Sequence, residues 1–572
     1  MDCRHSRVYN AHGCIKMKQR KITIGLLLIG PLLGLLLVVL LTHHPKIVLV
    51  PKPSVAGTRK GVISKGSPAQ LDSSPAVSST TSTPRVVTTS ADTSEAVVAP
   101  KQDAIKKSVT HEYTYRALKA ANDPSYSGSW ALQKVNAPAA WDITTGNDQT
   151  IVAVIDSGFA LNHEDLTGSW YQNPSENGFT SSGDRCWTGT PQDKKTNHCD
   201  DDNNGYVDDY KGWDFSGINN LPQAGETDPT STIATHGTEV AGLVGARGNN
   251  GKGSATINWN TKIMPLQALN DDGVGYTSDI ISAIYYAVDN GAGVINMSLG
   301  GYESDPAMST AINYAYQHKV AVVAAAGNCG AGTESGCSGQ APGAMAYPAL
   351  NAHVISVGAT MQNDQRASFS SYGPSLDVVA PGYGAIVSPA WSAGNPTTGY
   401  STNLYGTSFS TPQVSSLVSL IKSIRPSSSV DDITALLAGS ATKLAAMSGQ
   451  FYVSTYGHGQ INAAASVSNA QLLNSANATP VLDQTGGAAA EHNFAASEAF
   501  SSGCEVPSGT PCTIKLTNAN SGLERYLPYQ LASSSGTTGW SWNTSSLTSG
   551  AWETRALQGE NISLTPYSLL GK

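Results

Sequence analysis

Two kinds of apolar pattern alternate along residues 127–468. Short, continuous runs rich in Val, Ile and Ala are typical of strands that are buried on both faces of a parallel sheet. These runs occupy residues 151–155, 294–300, 320–326, 354–357 and 377–380. Between them, residues 278–289 and 308–318 carry apolar positions at helical spacing. Strands that alternate with helices predict an α/β domain with a mainly parallel sheet, whose functional residues lie at the carboxyl ends of its strands.

A different apolar pattern lies near the start of the chain. Residues 22–41 form an uninterrupted apolar run of about the length that spans a bilayer. Several basic residues precede it, which predicts that residues 1–21 form a cytoplasmic tail. A cleaved signal peptide is the alternative, but its apolar core is usually shorter, and no Ala-x-Ala cleavage site follows here. We therefore expect residues 22–42 to be an uncleaved transmembrane signal-anchor in the cell membrane, with the rest of the chain outside the cytoplasm.

The segments on either side of the α/β domain have other compositions. Residues 43–126 include a long stretch of Ser, Thr, Pro, Val and Ala with few charges and almost no large side chains. Such a stretch buries too little apolar surface to offset the entropy of ordering, so we expect a flexible stalk. After residue 468 the helical patterns end, and residues 513–517 alternate in strand fashion. We expect residues 469–572 to form a small β-rich domain, with a sandwich as its architecture.

The charge and the cysteines limit the functional classes. A net charge of −8 over 572 residues and the lack of a basic patch argue against nucleic acid as a partner. Six of the eight cysteines follow the apolar run, and none of these has the C-x-x-C spacing of a zinc site. Six cysteines allow fifteen pairings, and the simplest joins neighbours: Cys186 to Cys199, Cys329 to Cys337, and Cys504 to Cys512. Disulfides would place this part of the chain in an oxidising compartment.

A serine at the start of a predicted helix is the first candidate for chemistry. Within residues 404–414, Gly406 leads into Ser408, Pro412 follows, and an apolar run at helical spacing continues to residue 424. Glycine allows a tight entry into a helix, and the helix N-terminus favours negative charge near the serine oxygen. An ordinary N-cap is the alternative, because serine is common in that position. A nucleophilic serine also needs a base, and that base needs an orienting carboxylate.

Two further residues have contexts suited to those roles. His236 opens a helical run of small and apolar residues, and Gly237 after it lets the backbone approach closely. Asp156 ends the run 151–155, where a carboxylate could accept the imidazole N–H and fix the tautomer of the ring. Taken singly, Asp156 could be a turn residue, and His236 could be an ordinary surface or core histidine. Their combination with Ser408 indicates nucleophilic catalysis.

Three motifs follow one another in the predicted α/β domain. They are V-x-V-I-D-S-G around Asp156, H-G-T-x-V-A-G from His236, and G-T-S-x-x-T-P around Ser408. In type, order and spacing they resemble the motifs of the subtilisin-like serine proteases, or subtilases, in which Asp, His and Ser follow in this order. The resemblance implies a three-layer fold and a serine endopeptidase that cleaves polypeptides through an acyl-enzyme. It assigns Ser408 as the nucleophile, His236 as the general base and acid, and Asp156 as the orienting carboxylate.

The same resemblance assigns residues around the triad. Asn328 matches the asparagine whose side-chain N–H, together with the backbone N–H of Ser408, stabilises the oxyanion. The family binds its substrate as an added strand between two edges. The positions that match these edges are Ser298, Leu299, Gly300 and Tyr276. One stretch departs from the usual family pattern, because Phe409 and Ser410 stand where Met and Ala commonly follow the serine.

The densest acidic run lies between the first two motifs. Residues 200–208 follow the first nine positions of an EF-hand calcium loop, but Lys211 replaces the glutamate expected at the twelfth position. Repulsion among the carboxylates favours a cation, and many subtilases bind calcium in surface loops near this place, so we expect a structural calcium site. The chemistry itself requires no cofactor. The predicted ligands are Asp200, Asp202, Asn204 and Asp208. The alternative is a solvated acidic loop.

Two other functional classes compete with a protease. A pseudoprotease would use its domains only to bind a partner surface, but a binding module has no need of four aligned catalytic groups. An esterase of the α/β-hydrolase fold would have G-x-S-x-G at its nucleophile and the order Ser, acid, His, and this chain has neither. We therefore expect a membrane-anchored, extracytoplasmic serine endopeptidase.

Overall fold

The computed structural model describes residues 119–334, 336–474, 479–484, 491–494, 498–563 and 566–571. All of them belong to one unit of the chain, Thr110–Lys572. The predicted cytoplasmic tail 1–21, the predicted signal-anchor 22–42 and most of the predicted stalk lie outside the described residues. Within the described residues, no helix combines the length and the apolar character that a membrane span needs.

A seven-stranded parallel sheet forms the centre of the α/β domain. Its strands are β1 (Ile151–Asp156), β2 (Trp213–Asp214), β3 (Lys262–Gln267), β4 (Val294–Met297), β5 (Ala321–Ala325), β6 (Val354–Thr360) and β7 (Val378–Pro381). They lie in the order β2-β3-β1-β4-β5-β6-β7, and each neighbouring pair is parallel. The predicted α/β fold with a mainly parallel sheet is therefore confirmed.

Helices cover both faces of this sheet. They are α1 (Trp130–Lys134), α2 (Ala137–Trp141), α3 (His236–Gly245), α4 (Thr277–Asp289), α5 (Pro306–Gln317), α6 (Thr407–Ile424), α7 (Val430–Ser440) and α8 (Ala463–Asn474). Alternate residues of β1 point to opposite faces, as the two-residue period of a strand requires. Val152 and Val154 join the apolar core that contains α3, α6, α7 and α8, whereas Ala153 and Ile155 join the core that contains α4 and α5.

Two strands of the sheet, β2 and β3, were not predicted from the sequence. Strand β3 contains Pro265, which lacks the N–H that a central strand uses for its ladder, so its pattern does not indicate a strand. Strand β2 pairs only with Leu266 and Gln267. Pro265 itself is not paired with β2, the edge strand beside β3. Its missing N–H is therefore tolerated at this position.

Short strands and a β-rich region follow the main sheet. Two small antiparallel pairs lie before α6: β8 (Tyr383–Gly384), β9 (Ser388–Ala390), β10 (Gly399–Ser401) and β11 (Leu404–Tyr405), with β8 beside β11 and β9 beside β10. After α8 come β12 (Val481–Gln484), β13 (Glu491–Phe494), β14 (Ala499–Glu505), β15 (Pro511–Asn518), β16 (Glu524–Tyr526), β17 (Gln530–Leu531), β18 (Thr537–Asn543), β19 (Ala551–Gln558), β20 (Asn561–Ile562) and β21 (Tyr567–Gly571). One sheet has the order β12-β14-β18, and the other has the order β13-β21-β19-β15-β16.

The β-rich region packs directly on the α/β domain through a buried histidine. The Nδ1 atom of His458 lies 3.0 Å from the carbonyl oxygen of Asp377, and its Nε2 atom accepts the N–H of Tyr526 in β16 at 3.0 Å. Burial lowers the pKa of His458 well below its ordinary value, so the ring is neutral and can accept this bond. Arg525 donates to the carbonyl oxygen of Pro374 at 2.8 Å. Helix α8 runs across the predicted domain boundary at residue 468.

The described residues before 127 belong to the folded unit. Asp123 is only 4% exposed, and its carboxylate accepts the backbone N–H groups of Asn249 and Asn250. The backbone N–H of Lys119 donates to Asp142. These contacts place residues 119–126, which lie within the predicted stalk range, on the α/β domain.

Candidate active site

Asp156 and His236 meet at the carboxyl edge of the sheet. Asp156 ends β1, is fully buried, and accepts the N–H of Ser157 at 2.8 Å through Oδ1. The same oxygen lies 2.7 Å from Nδ1 of His236, the first residue of α3. A Cβ atom at Gly237 would lie 2.4 Å from the carbonyl oxygen of Gly158. Glycine after the histidine is therefore what allows α3 to approach β1 so closely.

The environment of His236 sets its proton affinity. Burial alone would lower the pKa of the imidazole, but the negative charge of Asp156 and its hydrogen bond raise it, and so does the charge of Glu239. The attractive effects win, and the pKa lies above the ordinary value of 6.5. The side chain remains 22% exposed, so its other ring nitrogen is accessible from the cleft. Such a histidine can accept a proton and hold it as a stabilised imidazolium.

Ser408 is the second residue of α6, and its hydroxyl faces residues 298–300, which directly follow β4. The hydroxyl donates to the carbonyl oxygen of Ser298 at 3.2 Å, and among the described residues it forms no hydrogen bond with His236. The hydroxyl of Ser298 in turn donates to the carbonyl oxygen of Ser408 at 2.8 Å. This carbonyl is free because Pro412, four residues on in α6, has no N–H to donate to it. The proline thus lets the start of α6 bind the neighbouring segment.

Two N–H donors converge beside Ser408. The side-chain oxygen of Asn328 accepts the backbone N–H of Thr407 at 2.9 Å and its hydroxyl at 3.0 Å, so the amide nitrogen is turned the other way. Gly406 has φ +144°, and a Cβ atom there would lie 3.6 Å from Nδ2 of Asn328 and 3.7 Å from the backbone nitrogen of Ser408. Both nitrogens therefore lie within 4 Å of one point beside Gly406. Two such donors can hold a negative charge that develops on a substrate oxygen.

A cleft of about 460 Å³ lies beside His236 and the segment that binds the Ser408 hydroxyl. Its walls include His236 and the three predicted substrate-binding residues Ser298, Leu299 and Gly300. The opposing wall contains Val274 and other residues of the 273–277 stretch. Tyr276, predicted to line a subsite, is 74% exposed and is not among the residues that line the cleft.

Similarity to known proteins agrees with this geometry. The model of the subtilase family matches residues 147–459, more than half of the 572 residues. The chain belongs to the subtilase family. Subtilases are serine-type endopeptidases, and this chain is one of them.

Individual relatives cover different parts of the subtilase. Thermitase from Thermoactinomyces vulgaris is 32% identical over 56% of this chain and 92% of its own length. The thermophilic serine proteinase of Bacillus sp. strain AK1 is 35% identical over 54% of this chain and 62% of its own length. A solved protease structure from Pseudoalteromonas arctica is 27% identical to this chain, with a TM-score of 0.46. The match covers 62% of this chain and 100% of the chain in that structure.

Two features of the subtilase site were not predicted from the sequence. The hydroxyl of Thr407 orients Asn328, although the two residues are 79 positions apart. The ring of Phe409 lies 5.5 Å from the ring of His236, centroid to centroid, so the departure from the usual Met places an aromatic against the histidine. The sequence can indicate Phe409 as a site residue, because it directly follows Ser408. No local sequence pattern pairs Thr407 with Asn328.

Three acidic side chains come together outside the cleft. Ligand oxygens of Glu176, Asp202 and Asp209 all lie within 4.8 Å of one another. The amide of Asn173 donates to Asp202 at 3.0 Å and to Asp209 at 2.9 Å, which holds the two carboxylates in place. Glu176 is fully buried; one of its oxygens accepts the N–H of Asp201, and Oε2 has no hydrogen-bond partner among the described residues. Burial and the neighbouring carboxylates raise the pKa of Glu176 to about 8.

This group differs from the predicted calcium ligands. Asp202 is shared by both sets. Asp200 instead accepts backbone N–H groups of its own loop, including that of Gly205 at 2.9 Å, and Asp208 accepts the N–H of His198 at 3.1 Å. Asn204 lies next to the group, and its amide nitrogen donates to Asp209 at 2.9 Å. Asp200 also lies near Asp202, since both accept the N–H of Asn204, but the three-carboxylate group consists of Glu176, Asp202 and Asp209.

Proposed function

We propose that this subtilase hydrolyses internal peptide bonds with Ser408 as its nucleophile, His236 as its general base and acid, and Asp156 as the carboxylate that orients the histidine. The observation that supports this most directly is the 2.7 Å contact between Asp156 and His236. It fixes the ring with Nδ1 toward the carboxylate. The other nitrogen, Nε2, is left for the proton of a nucleophile.

The chemistry runs in two balanced halves. Nε2 of His236 takes the proton of the Ser408 hydroxyl as Oγ bonds to the substrate carbonyl carbon, and the carbonyl oxygen becomes an oxyanion. His236 then gives the proton to the amide nitrogen, the C–N bond breaks, and the amine leaves an acyl-enzyme. Water, deprotonated by His236, attacks the ester and releases the carboxylic product, and the proton returns to Ser408. The amide of Asn328 and the backbone N–H of Ser408 stabilise both oxyanions.

The substrate we propose is an extended polypeptide. The segment of Ser298, Leu299 and Gly300 lines the cleft and presents backbone groups that can pair with an added strand. The pseudoprotease alternative is less well supported, since a partner-binding module would not need an oriented histidine and two converging N–H donors beside a serine.

We also propose that the protease domain is extracytoplasmic and held at the cell membrane by residues 22–42. Two observations support an oxidising location and an anchor. Disulfides join Cys186 to Cys199, Cys329 to Cys337, and Cys504 to Cys512. The apolar run of residues 22–41 follows a basic tail.

One labelling experiment tests the nucleophile and the location together. We expect a membrane-impermeant fluorophosphonate to label the protein on intact cells, and the labelled protein to sediment with the membranes after carbonate washing. Ser408→Ala should abolish labelling because it removes the oxygen that the probe phosphonylates. Labelling of Ser408→Ala would contradict the nucleophile assignment. Labelling only after permeabilisation would contradict the location, and labelled protein in the wash would contradict the anchor.

A structural calcium ion is the cofactor we propose, held by Glu176, Asp202 and Asp209. Calcium prefers carboxylate oxygens, and these three side chains present theirs within 4.8 Å of one another. The buried Oε2 of Glu176 without a partner supports a cation more strongly than the count of acids does. The ion would take no part in peptide hydrolysis; it would neutralise the acidic group and stabilise the loop.

The ligand set predicts which variants lose the calcium response. We expect calcium at a hundredfold excess over Kd to stabilise the wild type by about 2.7 kcal/mol, and chelation to lower its Tm accordingly. Glu176→Gln should show a much smaller shift, because it removes a charged ligand with little change in shape. Asp208→Asn is the matched control from the same loop and should keep the full shift. Differential scanning calorimetry with calcium or chelator measures this. Loss of the shift in Asp208→Asn, with retention in Glu176→Gln, would restore the ligand set predicted from the sequence.

A further inference from the structure

A disulfide lies directly against the residue that we propose as oxyanion donor. Cys329 follows Asn328 in sequence and is joined to Cys337, eight residues on. The two half-cystines are 1% and 3% exposed. The Sγ atom of Cys337 lies 3.5 Å from the carbonyl oxygen of Asn328. The bridge therefore contacts Asn328 both through the chain and through space.

The same disulfide is bonded to the substrate-binding side of the cleft. The hydroxyl of Tyr302 lies 2.6 Å from Sγ of Cys329, and because a disulfide sulfur carries no proton, the tyrosine is the donor. Tyr302 comes two residues after Gly300, which lines the cleft. Between them, Gly301 exchanges backbone hydrogen bonds with Tyr347 at 2.9 and 2.8 Å. A short path thus runs from the substrate-binding segment through Tyr302 and the disulfide to Asn328.

The backbone around Asn328 needs such support. Gly327, directly before Asn328, has φ +107°, and Gly330 comes two residues after Asn328. The two glycines give this turn unusual conformational freedom. Ser371 fixes part of the turn, since its N–H donates to the carbonyl of Gly327 at 2.9 Å and its hydroxyl accepts the N–H of Cys329 at 3.0 Å. An oxyanion donor works only if it is held within about 0.5 Å of its productive position.

We propose that the Cys329–Cys337 disulfide, with Tyr302, is a positioning element that holds Asn328 in place for oxyanion stabilisation. The proposal rests on the proposed function of Asn328 and extends it to residues outside the triad motifs. Neither cysteine is among the residues that line the cleft. Their removal should therefore lower kcat through Asn328 and leave KM nearly unchanged.

A double-mutant cycle tests this coupling. The variants are Cys329→Ala with Cys337→Ala, Asn328→Ala, and all three together, each assayed on a peptide substrate with active sites titrated by a fluorophosphonate. We expect removal of the disulfide to lower kcat about tenfold, which is less than the 10²–10³-fold that loss of one whole oxyanion donor costs, with KM changed less than twofold. In the Asn328→Ala background the same removal should change kcat less than twofold, because the group being positioned is gone.

The chain provides a matched control. Cys504 and Cys512 form a disulfide with the same separation of eight residues, and they are 1% and 0% exposed, but they lie in the β-rich domain. Cys504→Ala with Cys512→Ala should leave kcat per titrated site within twofold of wild type. Tyr302→Phe provides a milder change at the bridge itself, because it removes only the hydroxyl that donates to Cys329. We expect it to lower kcat a few-fold in wild type and not in the Asn328→Ala background.

Each outcome decides for or against the positioning role. A wild-type kcat in the Cys329/Cys337 variant would overturn it, and so would an equal loss with and without Asn328. If the Cys329/Cys337 double variant does not fold, Tyr302→Phe replaces it in the double-mutant cycle. An equal effect of Tyr302→Phe on kcat in the wild-type and Asn328→Ala backgrounds would overturn the proposal. An unchanged kcat in Asn328→Ala would overturn it as well. The proposed protease mechanism has its own test, because hydrolysis retained by Ser408→Ala would overturn the mechanism.

Discussion

Ser408→Ala and His236→Ala are each expected to lower kcat/KM for a peptide substrate by about 10⁶-fold, the loss that such substitutions cause in a related family member. The double variant should lose little more. The reason is that the two side chains perform one step together: without the base the hydroxyl keeps its proton, and without the hydroxyl the base has nothing to activate. Steady-state hydrolysis of a chromogenic peptide measures both variants and their combination.

Ser410→Ala is the matched control for this result. Ser410 lies two residues after the proposed nucleophile on α6, and its hydroxyl donates to the carbonyl oxygen of Ala380, away from the triad. We expect its kcat/KM to stay within a few-fold of wild type. Hydrolysis at near wild-type rates by Ser408→Ala would refute the mechanism. Strictly multiplicative losses in the Ser408/His236 double variant would show that the two residues do not act as a unit.

Asp156→Asn is expected to lower kcat by about 10⁴-fold while leaving the fold intact. The carboxylate accepts the Nδ1–H of His236, whereas an asparagine can present its NH₂ group there and favour the tautomer that carries the proton on Nε2. A histidine in that tautomer cannot take the proton of Ser408.

The pH profile distinguishes this electrostatic role from a purely steric one. The base must be neutral to act, so activity falls as the pH drops through the pKa of His236. Since the charge of Asp156 keeps that pKa above 6.5, we expect the acid limb of kcat/KM above pH 6.5 in the wild type. In Asp156→Asn the charge is gone and burial remains, so the limb should move to lower pH. An acid limb at the same pH in both proteins would contradict the role of the carboxylate.

In the acidic loop, the sequence spacing and the folded chain select different carboxylates. The EF-hand pattern predicts Asp200 and Asp208 among the ligands. In the folded chain, Asp202 is the one predicted ligand that lies in the group with Glu176 and Asp209. Glu176 enters the group from a segment that precedes the pattern by more than twenty residues. Whether a carboxylate is free to bind a cation depends on loop packing, which no local pattern records.

Some strands of the main sheet can be predicted from the sequence, and others cannot. The five predicted strands are short, continuous apolar runs rich in Val, Ile and Ala, a pattern typical of strands buried on both faces of a parallel sheet. Strand β3 carries Pro265, and β2 consists of two residues, so neither has a local pattern strong enough to predict it. Their place in the sheet follows from pairing with β1 and with each other.

The sequence by itself determined the family and predicted Asp156, His236 and Ser408 as the triad, because each sits in a contiguous motif at the end of a strand or the start of a helix. Such element ends are set by local propensity and by nearby glycines. Only the tertiary structure decided which distant side chains support the site: the hydroxyl of Thr407 on Asn328, and the hydroxyl of Tyr302 on the predicted Cys329–Cys337 disulfide. These partners are 79 and 27 positions apart, and the parallel sheet brings them together by aligning the carboxyl ends of strands from separate parts of the chain.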